Sequence, residues 1–301
     1  MPRWLKRLGF ALGGLILLVV LLVCYVYAAS EMEFRKTYPL AGTPVAVPVD
    51  SASIARGQHL ANAIAKCTDC HGPGLGGGAV IDGSPMGRLT APDLTTGEGG
   101  LGSTLGDADW ERAIRHGVLP NGRSVRIMPA GDYQYLSDED VADIIAYAKS
   151  VAPVKDTQPP THLMLLPRAL LVFGQMPLMT AKDVTGAVKP PRAMPAAPTR
   201  EYGEYVAKVG GCVSCHGPTF SGGKIIGGDP SWPPAANLTP TGLALYSEAT
   251  FDTVLTTGRR ADGTRLRAPM PWQFTARMTP DEMHAVWLYL QSLPGKPFGG
   301  R

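Results

Sequence analysis

The feature that most constrains how this chain can fold is a seven-residue motif that occurs twice, about 145 residues apart. The first copy is Cys67–Pro73 (CTDCHGP) and the second is Cys212–Pro218 (CVSCHGP). Two further landmarks follow each copy in the same order, namely Asp93–Thr95 with Asn237–Thr239 and Met128-Pro129 with Met270-Pro271. Because a fixed internal spacing is typical of repeated units, the sequence predicts two copies of one domain.

Each motif predicts a haem attachment site. On a helix, two cysteines three residues apart and a histidine directly after the second lie roughly on one face. Thiols in this arrangement can form thioethers with the vinyl groups of a porphyrin, and the histidine is then the proximal iron ligand. The sequence therefore predicts two covalently bound c-type haems, each with its iron. The residues concerned are Cys67, Cys70, His71, Cys212, Cys215 and His216.

A structural zinc site is the alternative for such a motif. Zinc takes four protein ligands in structural sites, but the motif cysteines and histidines supply only three for each of two ions. The chain has six histidines in all, which leaves few to complete the sites. In an exported protein, paired cysteines without a cofactor would favour disulfides. The motif therefore favours haem over zinc.

The sixth iron ligand is predicted to be methionine, from Met128 in the first unit and Met270 in the second. Both occupy the same place in the repeat and precede a proline that restricts the loop. Methionine opposite histidine raises the reduction potential and leaves no open position on the iron. The fallback methionines are Met278 and Met86, and the histidines interpreted as structural or surface residues are His59, His116 and His284.

Helical patterns repeat together with the motifs and predict an all-α fold. Each unit has a helix before the motif, a helix between motif and methionine, and a last helix opened by a hydroxyl cap with an acid three residues on. The predicted segments are Ser53–Ile64, Thr199–Val209, Asp107–His116, Glu248–Thr257 and the helices after Ser137 and Thr279. Aromatic candidates for packing on haem, or simply in the core, are Trp110, Phe251, Trp287, Tyr147 and Tyr289.

The N-terminal segment predicts a transmembrane anchor. Leu8–Ala29 carries no charge and at about 1.5 Å per residue spans the roughly 30 Å hydrocarbon core. A cleaved signal with its site near Val26-Tyr27-Ala28 is the alternative. Arg3, Lys6 and Arg7 precede the run, which predicts a cytoplasmic N-terminus and places the remainder across the membrane. Cys24 within the run is interpreted as apolar filler.

The remainder of the chain is formally neutral, because those three cations account for the net charge of +3. No nucleic-acid partner is therefore expected. Arg126 and Arg267 are candidates to offset haem propionates. The segment 154–198 holds eight prolines and predicts an extended linker. Its apolar middle, Leu163–Met179, is interpreted either as a docking surface for a partner or as packing between the two domains.

Both halves resemble class I cytochrome c domains in the attachment motif, the methionine-proline loop and the capped last helix. The whole chain is similar to membrane-bound dihaem cytochromes c of bacteria and to cytochrome subunits of periplasmic alcohol, aldehyde and gluconate dehydrogenases, which typically bear three haems rather than two. The resemblance implies an anchor at 1–29, a cytochrome c domain at 50–153, a linker at 154–198 and a second cytochrome c domain at 199–301.

The resemblance further implies periplasmic electron transfer at the bacterial inner membrane rather than catalysis. The redox partners expected are a dehydrogenase, a quinol-oxidising complex or a terminal oxidase. The alternative is a dihaem enzyme of the peroxidase or thiosulfate dehydrogenase type. A peroxidase needs a displaceable iron ligand, and the second type uses a cysteine ligand, for which only Cys24 remains outside the motifs.

Overall fold

The structure, a computed structural model, describes residues 2–155, 157–184 and 188–300. Parts of the predicted anchor (Met1), linker (Asp156 and 185–187) and second domain (Arg301) lie outside the described residues. The fold is mostly helical, which confirms the predicted class. The structure also contains a small antiparallel sheet of three strands that no pattern in the sequence predicted.

The elements follow the repeat. Helix α1 is Arg3–Arg35. The first unit contains α2 (Ser51–His59), a π-helical turn (Leu60–Ile64), α3 (Cys67–His71), β1 (Gly78–Gly83), β2 (Gly87–Ala91), α4 (Asp107–His116), α5 (Ala130–Tyr133) and α6 (Asp138–Ser150). Between the units lie β3 (His162–Leu163), α7 (Leu165–Val172) and a 3-10 turn (Thr180–Lys182). The second unit contains α8 (Arg200–Val209), α9 (Cys212–His216), α10 (Glu248–Thr257), α11 (Trp272–Thr275) and α12 (Pro280–Ser292).

The helix ends confirm the capping signals in the sequence. The Ser137 hydroxyl accepts a hydrogen bond from Asp140 N at 3.0 Å, and the Thr279 hydroxyl accepts one from Glu282 N at 3.2 Å. Each bond satisfies a first-turn N–H group that has no partner within its helix. The last helix of each unit therefore begins where the sequence predicted.

In each unit the first helix crosses the last at a glycine. A Cβ atom on Gly57 would lie 1.9 Å from the Asp143 carbonyl oxygen, and one on Gly203 would lie 1.8 Å from the Ala285 carbonyl oxygen. No side chain fits at such distances, so glycine lets α2 lie directly on α6 and α8 directly on α12. This crossing fixes where each attachment motif leaves the first helix.

Replacing Gly203 by alanine is expected to lower the free energy of unfolding by about 2–3 kcal/mol, because the added methyl group forces two backbones apart. Guanidinium denaturation of the purified protein measures the change. Gly106→Ala is the matched control, since its Cβ would approach no atom closer than 3.6 Å. Equal stability of both variants would contradict the close crossing.

The two units share one apolar core and exchange polar contacts across it. His59 Nε2 lies 2.9 Å from both carboxylate oxygens of Glu282 in the second unit. The Tyr205 hydroxyl, at the corresponding position of the repeat, donates to the Asp140 carboxylate of the first unit at 2.5 Å. Each unit thus contacts the acid at the third position of the other unit's last helix, and the buried core runs continuously from Leu60 to Leu290.

Glu282 is expected to stabilise the protein in a pH-dependent way. Burial raises the pKa of this carboxyl, but hydrogen bonds from His59 and Thr279 N outweigh it, so the pKa lies below its ordinary 4.5. The stabilisation is therefore present above about pH 4.5 and is lost as the pH falls through the lowered pKa. Glu282→Gln keeps the helix cap but loses the charge, and we expect about 2 kcal/mol lower unfolding free energy at pH 7.

Denaturation at pH 7 and at pH 4 measures this effect, and the difference from the unaltered protein should shrink at the lower pH. Glu204→Gln is the control, because Glu204 pairs with Lys208 on the surface of α8 at 2.7 Å. Such a pair contributes under about 1 kcal/mol. A deficit that stays constant between the two pH values would contradict a charge-based contribution from Glu282.

The segment between the units is not simply extended, which corrects that part of the prediction. Residues 165–172 form α7 despite Pro167, because proline in the first helical turn removes an N–H group that would have no helical partner. Strand β3 pairs with β2 of the first unit. Leu163, Leu178 and Met179 form a second buried cluster with Leu89 and Phe34, so this segment packs on α1 and on the sheet.

Helix α1 qualifies as a membrane-spanning helix by length and composition, a test that a signal sequence also passes. Its C-terminal end joins the first unit directly. Tyr38 N donates to Gly122 O at 2.8 Å, and Thr43 N donates to the Glu111 carboxylate at 2.9 Å. The chain after α1 therefore runs along the first unit and is anchored to it by hydrogen bonds.

Candidate cofactor-binding site

The two motif histidines are held in the same way. His71 Nδ1 donates to Pro92 O at 2.9 Å, and His216 Nδ1 donates to Ala236 O at 2.8 Å. A carbonyl oxygen can only accept, so the proton is on Nδ1 in both rings. Nε2 then carries the lone pair that a metal ion needs, and the hydrogen bond fixes the ring's orientation. Both rings are thus oriented as ligation of a metal ion through Nε2 would require.

Matched backbone geometry delivers those carbonyl groups. Leu75 and Phe220 both have a φ of 59°, the left-handed region that bulky residues rarely adopt. Leu94 N donates to Leu75 O and Leu238 N donates to Phe220 O, each at 2.8 Å, and these bonds bring the following segment back beside the motif. The sequence analysis missed both positions, although their equal distance from the motif histidines was a usable signal.

The motif cysteines are not grouped as a zinc centre. Within the described part of the chain, no three His, Cys, Asp or Glu side chains group as a metal-binding cluster. Burial raises the pKa of the Cys67 thiol to about 12 and also raises that of Cys212. Burial therefore disfavours an unpaired thiolate at both positions. Thioether formation consumes the thiol and leaves no buried charge.

The second unit contains a cavity of about 430 Å³ that fits a covalently held haem. Cys212, Cys215, His216 and Met270 all line it. The remaining lining is mostly apolar, as a porphyrin face requires, and includes Val209, Phe220, Leu238, Leu243, Phe251, Leu255 and Leu290. Arg267, which the sequence predicted as a partner of haem propionates, also lines the cavity. Arg260 lines it as well, and no sequence pattern predicted it.

The first unit closes one side of this cavity. Lys66, Asp132 and Tyr133 line it, and the Asp132 carboxylate accepts from the Ser214 hydroxyl at 2.9 Å. Burial raises the pKa of Asp132 to about 6. Lys66 Nζ donates to Gly210 O, two residues before Cys212. The start of the first motif thus touches the start of the second, which no pattern within one repeat could indicate.

Two methionines line the second cavity, and the repeat distinguishes them. Met270 corresponds to Met128 of the first unit. Met278 corresponds to Leu136, a fully buried core residue whose side chain has no atom that could bind iron. Met278 itself belongs to the buried core, while Met270 packs at the core's edge. The repeat and the burial of Met278 therefore favour Met270 as the candidate ligand, which stays a prediction.

The Met128 loop of the first unit is held by the segment between the units. Ile127 N donates to Leu178 O at 2.9 Å, and Arg126 forms a β-bridge with Met179. Ile127 has a φ of 59°, a strained conformation for a β-branched residue that clusters at functional sites. Met128 packs against the shared core. Residues 178–179 thus position the methionine loop, a role that the sequence analysis missed.

The other predicted residues separate into two groups. His116 and His284 each lie against a carboxylate, that of Glu111 or Glu248, as expected of structural residues. Arg126 lies over the Phe34 ring at 4.6 Å, facing α1.

The Trp110 indole nitrogen is buried without a hydrogen-bond acceptor among the described residues, so a propionate in the first unit would satisfy it. Phe251 packs on Trp287, Tyr289 packs on Phe220, and Tyr147 lies in the core.

Comparison with known proteins identifies both units. Residues 54–152 and 201–294 match the family model described as cytochrome c. The chain is 30% identical to the cytochrome c subunit of alcohol dehydrogenase (quinone) from Gluconacetobacter polyoxogenes, over 90% of this chain and 62% of that protein. It is 29% identical to the fructose dehydrogenase cytochrome subunit of Gluconobacter japonicus, over 86% of this chain and 56% of that protein.

A third relative is the gluconate 2-dehydrogenase cytochrome c subunit of Pantoea cypripedii, 33% identical over 56% of this chain and 39% of that protein. The chain spans about three fifths of the length of the first two relatives. These relatives are named as subunits of dehydrogenases with three different substrates. What they have in common is the cytochrome.

Proposed function

The chain belongs to the cytochrome c family, and on that premise we propose that it is the electron-transfer subunit of a membrane-bound dehydrogenase, with one haem c in each unit. The observation that carries this proposal is the pair of attachment helices, α3 and α9, whose histidines are oriented by equivalent carbonyl groups. A covalently attached one-electron cofactor, in relatives that are cytochrome subunits of dehydrogenases with different substrates, suits a relay between a catalytic subunit and an acceptor.

The chain's own residues hold and tune the cofactor. Cys67 and Cys70, and likewise Cys212 and Cys215, would hold the haem through thioethers. His71 and His216 would bind its iron, together with Met128 and Met270. When bound in this way, haem c supplies reversible one-electron oxidation and reduction at a raised potential. The apolar lining of the second cavity excludes water and limits reorganisation around the charge.

Electron transfer is favoured over a dihaem enzyme. Two methionine ligands leave no position at which peroxide could bind. Outside the motifs only Cys24 remains as a thiol, and it lies exposed in the middle of α1, far along the chain from either motif. The relatives are cytochrome subunits rather than catalytic subunits.

The proposed location is the bacterial inner membrane, with α1 as an uncleaved single-pass anchor and both units in the periplasm. The basic residues before the apolar run support this orientation. The electron donor is then a periplasmic dehydrogenase or a quinol-oxidising complex. The acceptor is the quinone pool or a terminal oxidase.

Purification of the full chain from its own membranes in mild detergent tests the proposal. We expect two haems per chain by pyridine haemochrome assay, a co-purifying dehydrogenase, and reduction of both haems when that enzyme's substrate is added. A chain that purifies without a dehydrogenase and is reduced only by quinol would place it between respiratory complexes instead. Haem-dependent turnover of peroxide or thiosulfate would overturn the electron-transfer assignment.

A further inference from the structure

Helix α7 packs against α1 partly within the apolar run of that helix, Leu8–Ala29. Most of α1 is exposed, but Val26, Ser30 and Phe34 are buried on the side along which α7 packs. Val26 is only 2% exposed and lies three residues before the end of the run at Ala29. At about 1.5 Å per residue, the protein body that covers Val26 therefore reaches roughly 4–5 Å below the end of the span.

The single charged side chain of α7 is turned toward α1. Arg168 Nη1 donates to the Ser30 hydroxyl at 2.9 Å and lies 3.7 Å from the Glu31 carboxylate. The guanidinium also lies 4.9 Å from the centre of the Tyr27 ring. Its charge is thus satisfied within the protein, and α7 offers none to its surroundings.

Apolar side chains within and beside α7 are exposed, and those of Leu166 and Phe173 lie on the side away from Arg168. Phe173, directly after the helix, is 55% exposed, and Met164, Leu165 and Leu166 are each about 40% exposed. We call these four residues the α7 face. Exposed apolar side chains in such a group mark a surface that contacts something other than water. The apolar surface of α1 is exposed as well, and it includes Leu21 and Tyr25.

We propose that α7 is an interfacial helix and that the α7 face is covered by the lipid bilayer, at the boundary between headgroups and acyl chains where α1 leaves the membrane. Helices of this kind bury their apolar face about 5–10 Å into that boundary, which matches the depth set by Val26. This inference rests on the membrane span of α1 that the proposed function includes. It replaces the docking role considered for Leu163–Met179 with a lipid contact.

The consequence is a fixed orientation of the first unit on the membrane. Residues 173–177 connect α7 to residues 178–179, which hold the Met128 loop. Lys182 pairs with Glu33 at 2.5 Å and closes the same junction from the other side. A helix embedded in the interface beside the anchor prevents the unit from swinging about α1.

Site-directed spin labelling of the full chain in phospholipid vesicles tests this inference. In a Cys24→Ser background, single labels are placed by Phe173→Cys and Leu166→Cys on the α7 face. Leu245→Cys is the aqueous control, at a residue 96% exposed in the second unit, and Leu18→Cys is the control within the span. The accessibility of each label to oxygen and to a water-soluble nickel chelate is measured as the change in its relaxation from that under nitrogen. Relaxation caused by haem iron is present in both measurements and therefore cancels.

We expect the oxygen-to-nickel accessibility ratio at Phe173→Cys and Leu166→Cys to exceed that at Leu245→Cys several-fold. An aqueous ratio at both positions, with a lipid-like ratio at Leu18→Cys, would overturn the interfacial helix and leave the anchor intact. Low accessibility to both reagents would also overturn it, since it would mean coverage by a second copy or another protein. An aqueous ratio at Leu18→Cys would instead refute the span on which the inference rests.

Discussion

A chain in which alanine replaces Met270 should bind one carbon monoxide molecule in its reduced state, whereas the unaltered protein should bind none. Carbon monoxide needs an open position on ferrous haem, and methionine on the sixth position excludes it. Met270 lines the cavity that also contains Cys212, Cys215 and His216. Since axial ligands move haem potentials over about 0.8 V, we also expect one of the two potentials to fall by on the order of 0.1–0.2 V.

Absorption spectra under carbon monoxide and a potentiometric titration measure these effects. Met278→Leu is the matched control, because Met278 lines the same cavity but belongs to the buried core. It should bind no carbon monoxide and keep both potentials. If Met278→Leu opened the site and Met270→Ala did not, the ligand assignment in the second unit would be reversed.

Replacing Cys212 and Cys215 together by alanine should give a chain with one haem whose second unit does not stay folded. Without its covalent cofactor the unit would have to keep a cavity of about 430 Å³. At about 24 cal/mol per Å³ an empty cavity of this size costs about 10 kcal/mol. That is as large as the whole stability of a typical domain, about 5–15 kcal/mol, so the unit unfolds rather than remain empty.

Haem content per chain and limited proteolysis measure the outcome. We expect half the haem of the unaltered protein and rapid cleavage within 199–300. Cys24→Ala is the control, since Cys24 lies exposed in α1 and should change neither result. Full protease resistance together with a single haem would show that the second unit folds without its cofactor.

Much of the site could be predicted because both repeats carry the same landmarks. The motif and the capped last helices each have a local physical cause, so a pattern in sequence was enough. Met270 could be preferred over Met278 for the same reason, since only Met270 has a methionine at the equivalent position.

The remainder depends on contacts between segments far apart in the chain. The small sheet arises because β2 pairs with β3, which lies beyond α6. Asp132 reaches Ser214 only after the two units have packed together. Pro167 suggested an extended linker, although its place in a first turn is compatible with α7. Local patterns carry no information on such pairings. The residue types at Leu75 and Phe220 also give no sign of a left-handed backbone conformation, which bulky residues rarely adopt.

The reciprocal contacts of His59 with Glu282 and of Tyr205 with Asp140 have the form of an isologous interface, in which each partner presents the same patch to the other. Such interfaces are the usual product of homodimers, whose two centres are identical and exchange electrons with no preferred direction. Joining the two copies in one chain keeps the mutual geometry and frees each copy to diverge. Histidine in one half and tyrosine in the other already break the equivalence. Two inequivalent centres can differ in reduction potential, so that electron transfer from one to the other is favourable in free energy.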